Sequence, residues 1–283
     1  MARDFFFEQD GPGRFLPTSL SRGPWDPKSL HGRVLSGLIA HAAETEYGDP
    51  AFHAARLTTD MFRVAPMAPV NVVTTLVRDG NRIRVVDASI RGDDGTEIAR
   101  GNVVFLRRAE QPEGEVWSPP LWVVPPPDAL EAQVPKGPPG MTPVWETRRI
   151  EGDFGTTGQK RAWVRESLDF IQGVELTPLV RVAQISDFAN PFANSGSAGL
   201  NFVNADATLY LHRYPVGEWL GVEVVSHHSA DGIAVGECAL YDAEGAIGRT
   251  TVCSVANRRP AGMIKPPGLP AALETAVADA ASA

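Results

Sequence analysis

Cysteine is scarce, with two in 283 residues, Cys238 and Cys253. They lie fifteen residues apart on what read as neighbouring strands, a spacing that makes no disulfide framework and fits a reducing compartment. Long apolar runs are missing too: no window approaches the roughly 18 apolar residues needed to cross a bilayer. The N-terminus, MARDFFFEQDGPGRF, carries Asp4 and Glu8 early and has no extended apolar stretch, so it reads as neither signal nor transit peptide. A cytoplasmic location is expected. Positive charge is also in deficit, with 26 Lys and Arg against 34 Asp and Glu and a formal net charge of -8. Such a field repels nucleic acid and anionic membranes, so neither is expected as a partner, and any anionic ligand needs a local basic or amide-lined pocket.

Several motifs are absent. Without a G-x-S-x-G elbow the chain is not an esterase of the α/β-hydrolase type. It has no glycine-rich dinucleotide loop and no P-loop. No Cys or His spacing suggests zinc, and the neighbours His227 and His228 point to opposite faces of a strand, so they cannot chelate one ion as a pair. No metal or organic cofactor is expected. His41, His53 and His212 read as packing or surface groups.

What is present is the composition of an ordinary globular protein: 43% hydrophobic and 21% charged residues exclude disorder, and the length suits two ordinary domains. Ten prolines fall between Glu110 and Pro143. Such a run neither continues a helix nor serves a central sheet ladder, so it reads as an extended linker. Its Trp117, Leu121, Trp122, Val123 and Val124 are too apolar for a free tether, and part of it should pack on a domain. The alanine-rich LPAALETAVADAASA at the C-terminus reads as a short frayed helix or disorder.

The segments flanking the linker repeat at an interval of about 150 residues. Phe62-Arg63 lies over His212-Arg213, RGDDGTEIAR over YDAEGAIGRT, and Arg107-Arg108 over Arg258-Arg259 with a one-residue slip. Each half reads helix first. SLHGRVLSGLIAHAAE puts Leu30, Val34, Leu38, Ile39 and Ala42 on one stripe, and TPLVRVAQISDF does the same with Leu179, Val182, Ile185 and Ser186. Ser29 and Thr177 are the expected N-caps, the second with Pro178 at the first helical position. Strands follow near residues 55–64, 70–78, 83–91 and 97–107, then 206–214, 219–228, 233–241 and 247–257. Asp79-Gly80, Asp94-Gly95, Asp231-Gly232 and Glu244-Gly245 mark antiparallel hairpins. Further strands, at 5–7, 145–151 and 161–169, precede the helices. The expected fold class is α+β: two units, each an antiparallel sheet wrapped around a central helix, fused in one chain. The boundaries are 1–109 and 143–260 for the units, 110–142 for the linker and 261–283 for the tail.

This arrangement, with LHGRVLSGLIAHAA in the first half and LHRYPVGEWLGVE followed by ADGIAVGECALYDAEGAIGRTTVCSV in the second, resembles the double-hotdog acyl-CoA thioesterases of the thioesterase II-like group. The resemblance implies two hotdog units, association into homo-oligomers, and hydrolysis of acyl-CoA without metal by an Asp, a hydroxyl residue and a Gln that share one water. Carried onto this chain, the Asp falls on Asp206, the hydroxyl on Ser226 with Ser229 as a rival, and the Gln on Cys253. A thiol does not replace an amide as a two-way hydrogen-bonding group. The resemblance also implies that His31-Gly32, at a helix start, supplies backbone donors to the thioester oxygen.

The residues by themselves leave alternatives open. Asp206 equally suits a turn cap, Ser226 a solvent-facing strand position, Cys253 a buried inert thiol, and Gly32 close helix packing. Arg148-Arg149 and Arg258-Arg259 suit either CoA phosphates or ordinary strand ends. The alternatives to a hydrolase are a non-catalytic acyl-CoA-binding or scaffold protein of the same fold and a hotdog dehydratase built on His31.

Overall fold

Two short strands, β1 (Phe5–Gln9) and β2 (Arg14–Pro17), precede the helix α1 (Gly32–Tyr47) in the computed structural model, which describes residues 4–23, 26, 28–120, 122–133 and 145–257. Arg258-Arg259 and the C-terminal tail lie outside the described residues. Four long strands follow α1: β3 (Phe52–Met61), β4 (Val70–Asp79), β5 (Ile83–Gly92) and β6 (Glu97–Arg107). After the linker come β7 (Trp145–Glu151), β8 (Arg161–Glu166) and β9 (Asp169–Ile171), then α2 (Pro178–Ser186) and α3 (Ala189–Asn194). A small hairpin of β10 (Ser195–Gly196) and β11 (Gly199–Leu200) leads through β12 (Phe202–Asn204) to β13 (Asp206–Leu211), β14 (Trp219–Ala230), β15 (Ile233–Asp242) and β16 (Gly245–Ala256).

Each half makes an antiparallel meander after its helix, and the two meanders join into one sheet. Its order is β7-β8-β14-β15-β16-β13-β3-β6-β5-β4-β2-β1-β9, with β12 paired to β16. The junction is the antiparallel pair β13 and β3, in which Asp206 faces Asp60 and Leu209 faces Leu57. At the far end β1 runs parallel to β9, so the second half also clasps the first there. The hairpin between β14 and β15 turns on Asp231 and Gly232, both at positive φ, the backbone that matches the twist of a two-residue hairpin.

The helices run antiparallel inside the sheet: the start of α1 meets the end of α2, and Glu44 near the end of α1 accepts from the Thr177 hydroxyl that caps α2. Thr177 and Pro178 sit as expected, with Thr177 Oγ1 accepting from Val180 N. The first helix differs. Ser29 and Leu30 are held extended by bridges to Pro66 and Arg22, so α1 begins two residues later with His31 as its N-cap. Residues 33–40 are buried all round, a wider band than the apolar stripe alone gives. The sheet covers Val34, Leu38 and Ile39, while α2 and Phe170 close over Gly37. The strand expected to reach residue 214 stops at Leu211, because Arg213 turns aside to grip Asp242 with two bonds of 2.6 Å.

In the linker, Trp122 stacks on Tyr241 at 4.4 Å between ring centres and meets Trp163 edge-on at 4.9 Å. Trp117 and Val123 stay exposed. Among the described residues no helix is long and apolar enough to cross a membrane.

Candidate active site

A carboxylate that the sequence reading passed over marks the seam between the two halves. Asp187 caps the end of α2, where the chain kinks before α3, and its side chain is 7% exposed. It points at the start of α1. A Cβ on residue 32 would lie 2.9 Å from Asp187 Oδ1, so only glycine admits the carboxylate this close. Asn204, the last residue of β12, donates its amide to Asp187 Oδ1 at 2.9 Å and to the carbonyl of Asp206 at 3.2 Å.

His31 completes the group. Its Nδ1 lies 3.2 Å from Asp187 Oδ2 and also 3.2 Å from the Arg33 backbone nitrogen. One nitrogen cannot do both at once: protonated it donates to the carboxylate, and unprotonated it accepts from the Arg33 N–H. The Gly32 N–H, next to it, has no partner among the described residues. A sixteen-residue helix therefore opens with a free donor and a partial positive charge beside a buried acid. Burial alone would raise the Asp187 pKa. The bond and charge of His31, the Asn204 amide and the charge of Arg33 outweigh it and hold the carboxyl below its ordinary range.

Arg33 forms the floor of this group. It is 1% exposed, lies between the rings of Phe6 (4.6 Å) and Trp145 (4.4 Å), and donates to Glu166 Oε2 at 3.0 Å. The same oxygen accepts from Trp145 Nε1, while Oε1 takes the backbone N–H groups of Ser167 and Leu168. Guanidinium keeps its proton inside a protein, so a fixed positive charge stands one residue from the helix start.

The residues expected from sequence fall into three places. His31 and Gly32 meet Asp187, and Asp206 is linked to that group through its backbone carbonyl, which accepts from Asn204. The Asp206 side chain alternates with the buried Ala207, Leu209 and Leu211, so it looks out from the other face of the sheet. There it accepts the Cys253 N–H at 2.6 Å and opposes Asp60, whose pKa is raised by burial and by the Asp206 charge. Cys253 is exposed, not buried as one reading had it, since β16 turns Val252 and Ser254 inward instead. Partial desolvation of its sulfur by the surrounding strands and the neighbouring Asp206 push its thiol pKa up, which suppresses the thiolate needed for attack. Ser226 belongs with neither group: β15 and β16 separate its strand from β13, a span of about 14 Å at ordinary strand spacing. Ser229, its rival, is exposed and bonded by His227 Nε2. Cys238 is buried and free, three residues out of register with Cys253 across the β15–β16 ladder.

The overlooked signal lies in the helix. Asp187, Asn190 and Asn194 follow one another at three and four residues, a polar stripe beside the apolar Phe188, Ala189, Phe192 and Ala193. Asn194 donates to Asn190 Oδ1 and to Ser254, and Ser254 donates to Asn190.

Two family profiles match the chain. The Acyl-CoA thioesterase N-terminal domain matches residues 21–106, and the Acyl-CoA thioesterase C-terminal domain matches residues 122–251. A comparison with curated proteins by sequence gives no match. Among solved structures, the tesB protein of Mycobacterium avium subsp. paratuberculosis is 17% identical with a TM-score of 0.66, covering 88% of this chain and 95% of its own. A conserved protein with hot dog fold from Alicyclobacillus acidocaldarius is 17% identical with a TM-score of 0.69, covering 92% and 96%. The acyl-CoA thioesterase II TesB2 of Mycobacterium marinum is 15% identical with a TM-score of 0.61, covering 93% and 97%. With the paired helices inside one sheet and both family domains in sequence, the chain belongs to the acyl-CoA thioesterase family with the hotdog fold.

Proposed function

We propose that this chain hydrolyses acyl-CoA at the seam between its halves, with Asp187 activating the water. The observation that carries the reading is the meeting of a buried acid with an open helix start: Asp187 lies against Gly32, whose N–H is unpaired among the described residues. In thioester hydrolysis a water oxygen bonds to the acyl carbon and the carbon–sulfur bond breaks. Negative charge develops first on the carbonyl oxygen and then leaves on sulfur. The Gly32 N–H and the positive end of α1 suit the first charge. Asp187 takes the proton from water, and His31, whose Nδ1 faces the same carboxylate, suits its delivery to the departing thiolate. The scheme needs no metal.

Its depressed pKa keeps Asp187 in the basic form at neutral pH but weakens it as a base, so a modest turnover is expected. The test is release of CoA thiol from short-, medium- and long-chain acyl-CoAs by wild type, Asp187→Asn and Asp206→Asn. The expected result is a loss of about 10²- to 10⁴-fold in Asp187→Asn and near-wild-type turnover in Asp206→Asn. The reverse pattern moves the base to the outer face of the sheet. Binding without any turnover by wild type makes the protein an acyl-CoA-binding scaffold. Association into homo-oligomers is part of the same proposal; Val73, Val77, Ile233, Val235 and Val255 supply exposed apolar surface for it, and light scattering measures it. A cytoplasmic site of action fits the two free cysteines.

A further inference from the structure

Ser226 has no place beside Asp187, but its strand segment walls a cavity of about 610 Å³ on the second half, a volume within the range of small-molecule sites. The walls are the loop before β8 (156–159), the end of α3 with the β10–β11 hairpin, and residues 224–227 of β14. Asp187, His31, Gly32 and Asn204 are not among its lining residues.

Its charge is unusual for this chain. Of 34 acidic residues none lines the cavity, and its one charged lining group is Lys160, which is 3% exposed. The Lys160 ammonium donates to the carbonyls of Phe192 and Ser195 and lies 3.4 Å from Ser195 Oγ, all neutral partners. Among the described residues it has no carboxylate within ion-pairing distance; Asp153, whose charge supports the ammonium from further off, is paired with Arg149. A buried charge ordinarily has a counter-ion, and one that faces a cavity without any leaves a positive potential there. Burial lowers the pKa of Lys160 from its high ordinary value and also favours the neutral form of His227, so the imidazole adds no second charge. The hydroxyls of Thr157 and Ser197 have no partner among the described residues and stand on two different walls, whereas Ser226, opposite Glu237, turns its side chain to the face away from His227 and Asn194.

From the buried Lys160 with no carboxylate partner among the described residues, the acid-free walls and the free hydroxyls of Thr157 and Ser197, we infer that this cavity binds a phosphate-class anion. Hydroxyl donors around a buried cation suit phosphate oxygens, each of which accepts more than one bond. The anion is either a free phosphate compound or a phosphate group of CoA itself; the second source rests on the thioesterase reading, whereas anion binding as such does not.

The experiment is titration calorimetry of the full chain with inorganic pyrophosphate, at constant ionic strength, on wild type, Ser197→Asp and Lys160→Met. Ser197 is exposed on the hairpin, so an acid there adds repulsion without disturbing the core. The expected result is saturable binding at or below about millimolar Kd in wild type, weakened about tenfold or more in Ser197→Asp at unchanged melting temperature. Lys160→Met, if it folds, loses binding altogether. Repeating the titration with CoA present assigns the source: competition identifies the phosphates of CoA, and undiminished binding identifies a separate anion. Absence of saturable heat in wild type, or equal affinity in wild type and Ser197→Asp, overturns the inference whatever the thioesterase assay gives.

Discussion

Gly32 and Asp187, 155 positions apart in sequence, touch across the two halves so closely that a single added Cβ would sit 2.9 Å from one carboxylate oxygen and 3.0 Å from the other. The carboxylate has little freedom to retreat, being held by Asn204 on one side and faced by His31 on the other. Gly32→Ala therefore pushes the acid off the helix start. Overpacking of this kind costs about 1–3 kcal/mol, partly offset by the better helix propensity of alanine. Activity should fall much further than stability does. Parallel measurement of kcat/KM and of urea unfolding checks this, and an alanine variant with full activity would remove Gly32 from the site.

The depressed pKa of Asp187 sets a pH window. As pH falls, the unfolded chain takes up the proton first, near the ordinary Asp value of about 3.9, while the folded carboxyl resists until lower pH. The contribution of Asp187 to stability is thus complete above that value and is lost on acidification through the folded pKa. Urea unfolding of wild type and Asp187→Asn should show a gap that is constant from pH 7 to about 5 and closes below about pH 4. A gap that widens on acidification would mean that burial, not His31, Asn204 and Arg33, controls the group.

The pair Arg33 and Glu166 is buried on both sides, each side chain being 1% exposed. Removing one partner strands the other charge, and such breaks cost about 3–5 kcal/mol. Arg33→Met should therefore destabilise more than the double variant Arg33→Met with Glu166→Gln, in which no charge is left behind. Thermal unfolding of both singles and the double gives the coupling directly; additive effects would show that the pair is not an energetic unit. Since Arg33 also supports the ionised Asp187, the double variant should keep its fold yet move the acid limb of the activity profile to higher pH.

Much of this architecture is readable from local pattern. The repeat fixes two helices and two meanders, and HRYPVGEW and YDAEGAIGR turn out to be one structural unit: Arg213 grips Asp242, and Asp242 also accepts the N–H groups of Val216 and Glu244. The site is less legible because it is assembled from separate elements. Asp206 stands out by heading an alternating strand, but alternation itself sends its side chain to the outer face. Asp187 looks like the end of an ordinary helix. Its meaning comes from α1 packing antiparallel on α2, a long-range contact that no local periodicity announces. Ser226 is displaced for a similar reason: β15 and β16 lie between its strand and β13, a strand order that no local pattern announces.

Cys253 offers the sharpest test of where the chemistry lies. Placing glutamine there should raise turnover if an amide at this position holds the reacting water. The thiol, however, is on the exposed face of β16, beside Asp206 and Asp60, whereas Asp187 is reached from the inward face through Asn204. Asn204 pairs with Ser254, the inward-facing neighbour of Cys253, so one residue separates the two faces. Cys253→Gln should accordingly leave kcat/KM within about twofold of wild type, because surface changes away from the reacting groups are usually small. Ser254→Ala, on the inward side, should lower it by loosening Asn190 and Asn194 behind Asp187. A large gain from glutamine at 253 would instead put the water beside Asp206 and make the exposed face of the seam the active one.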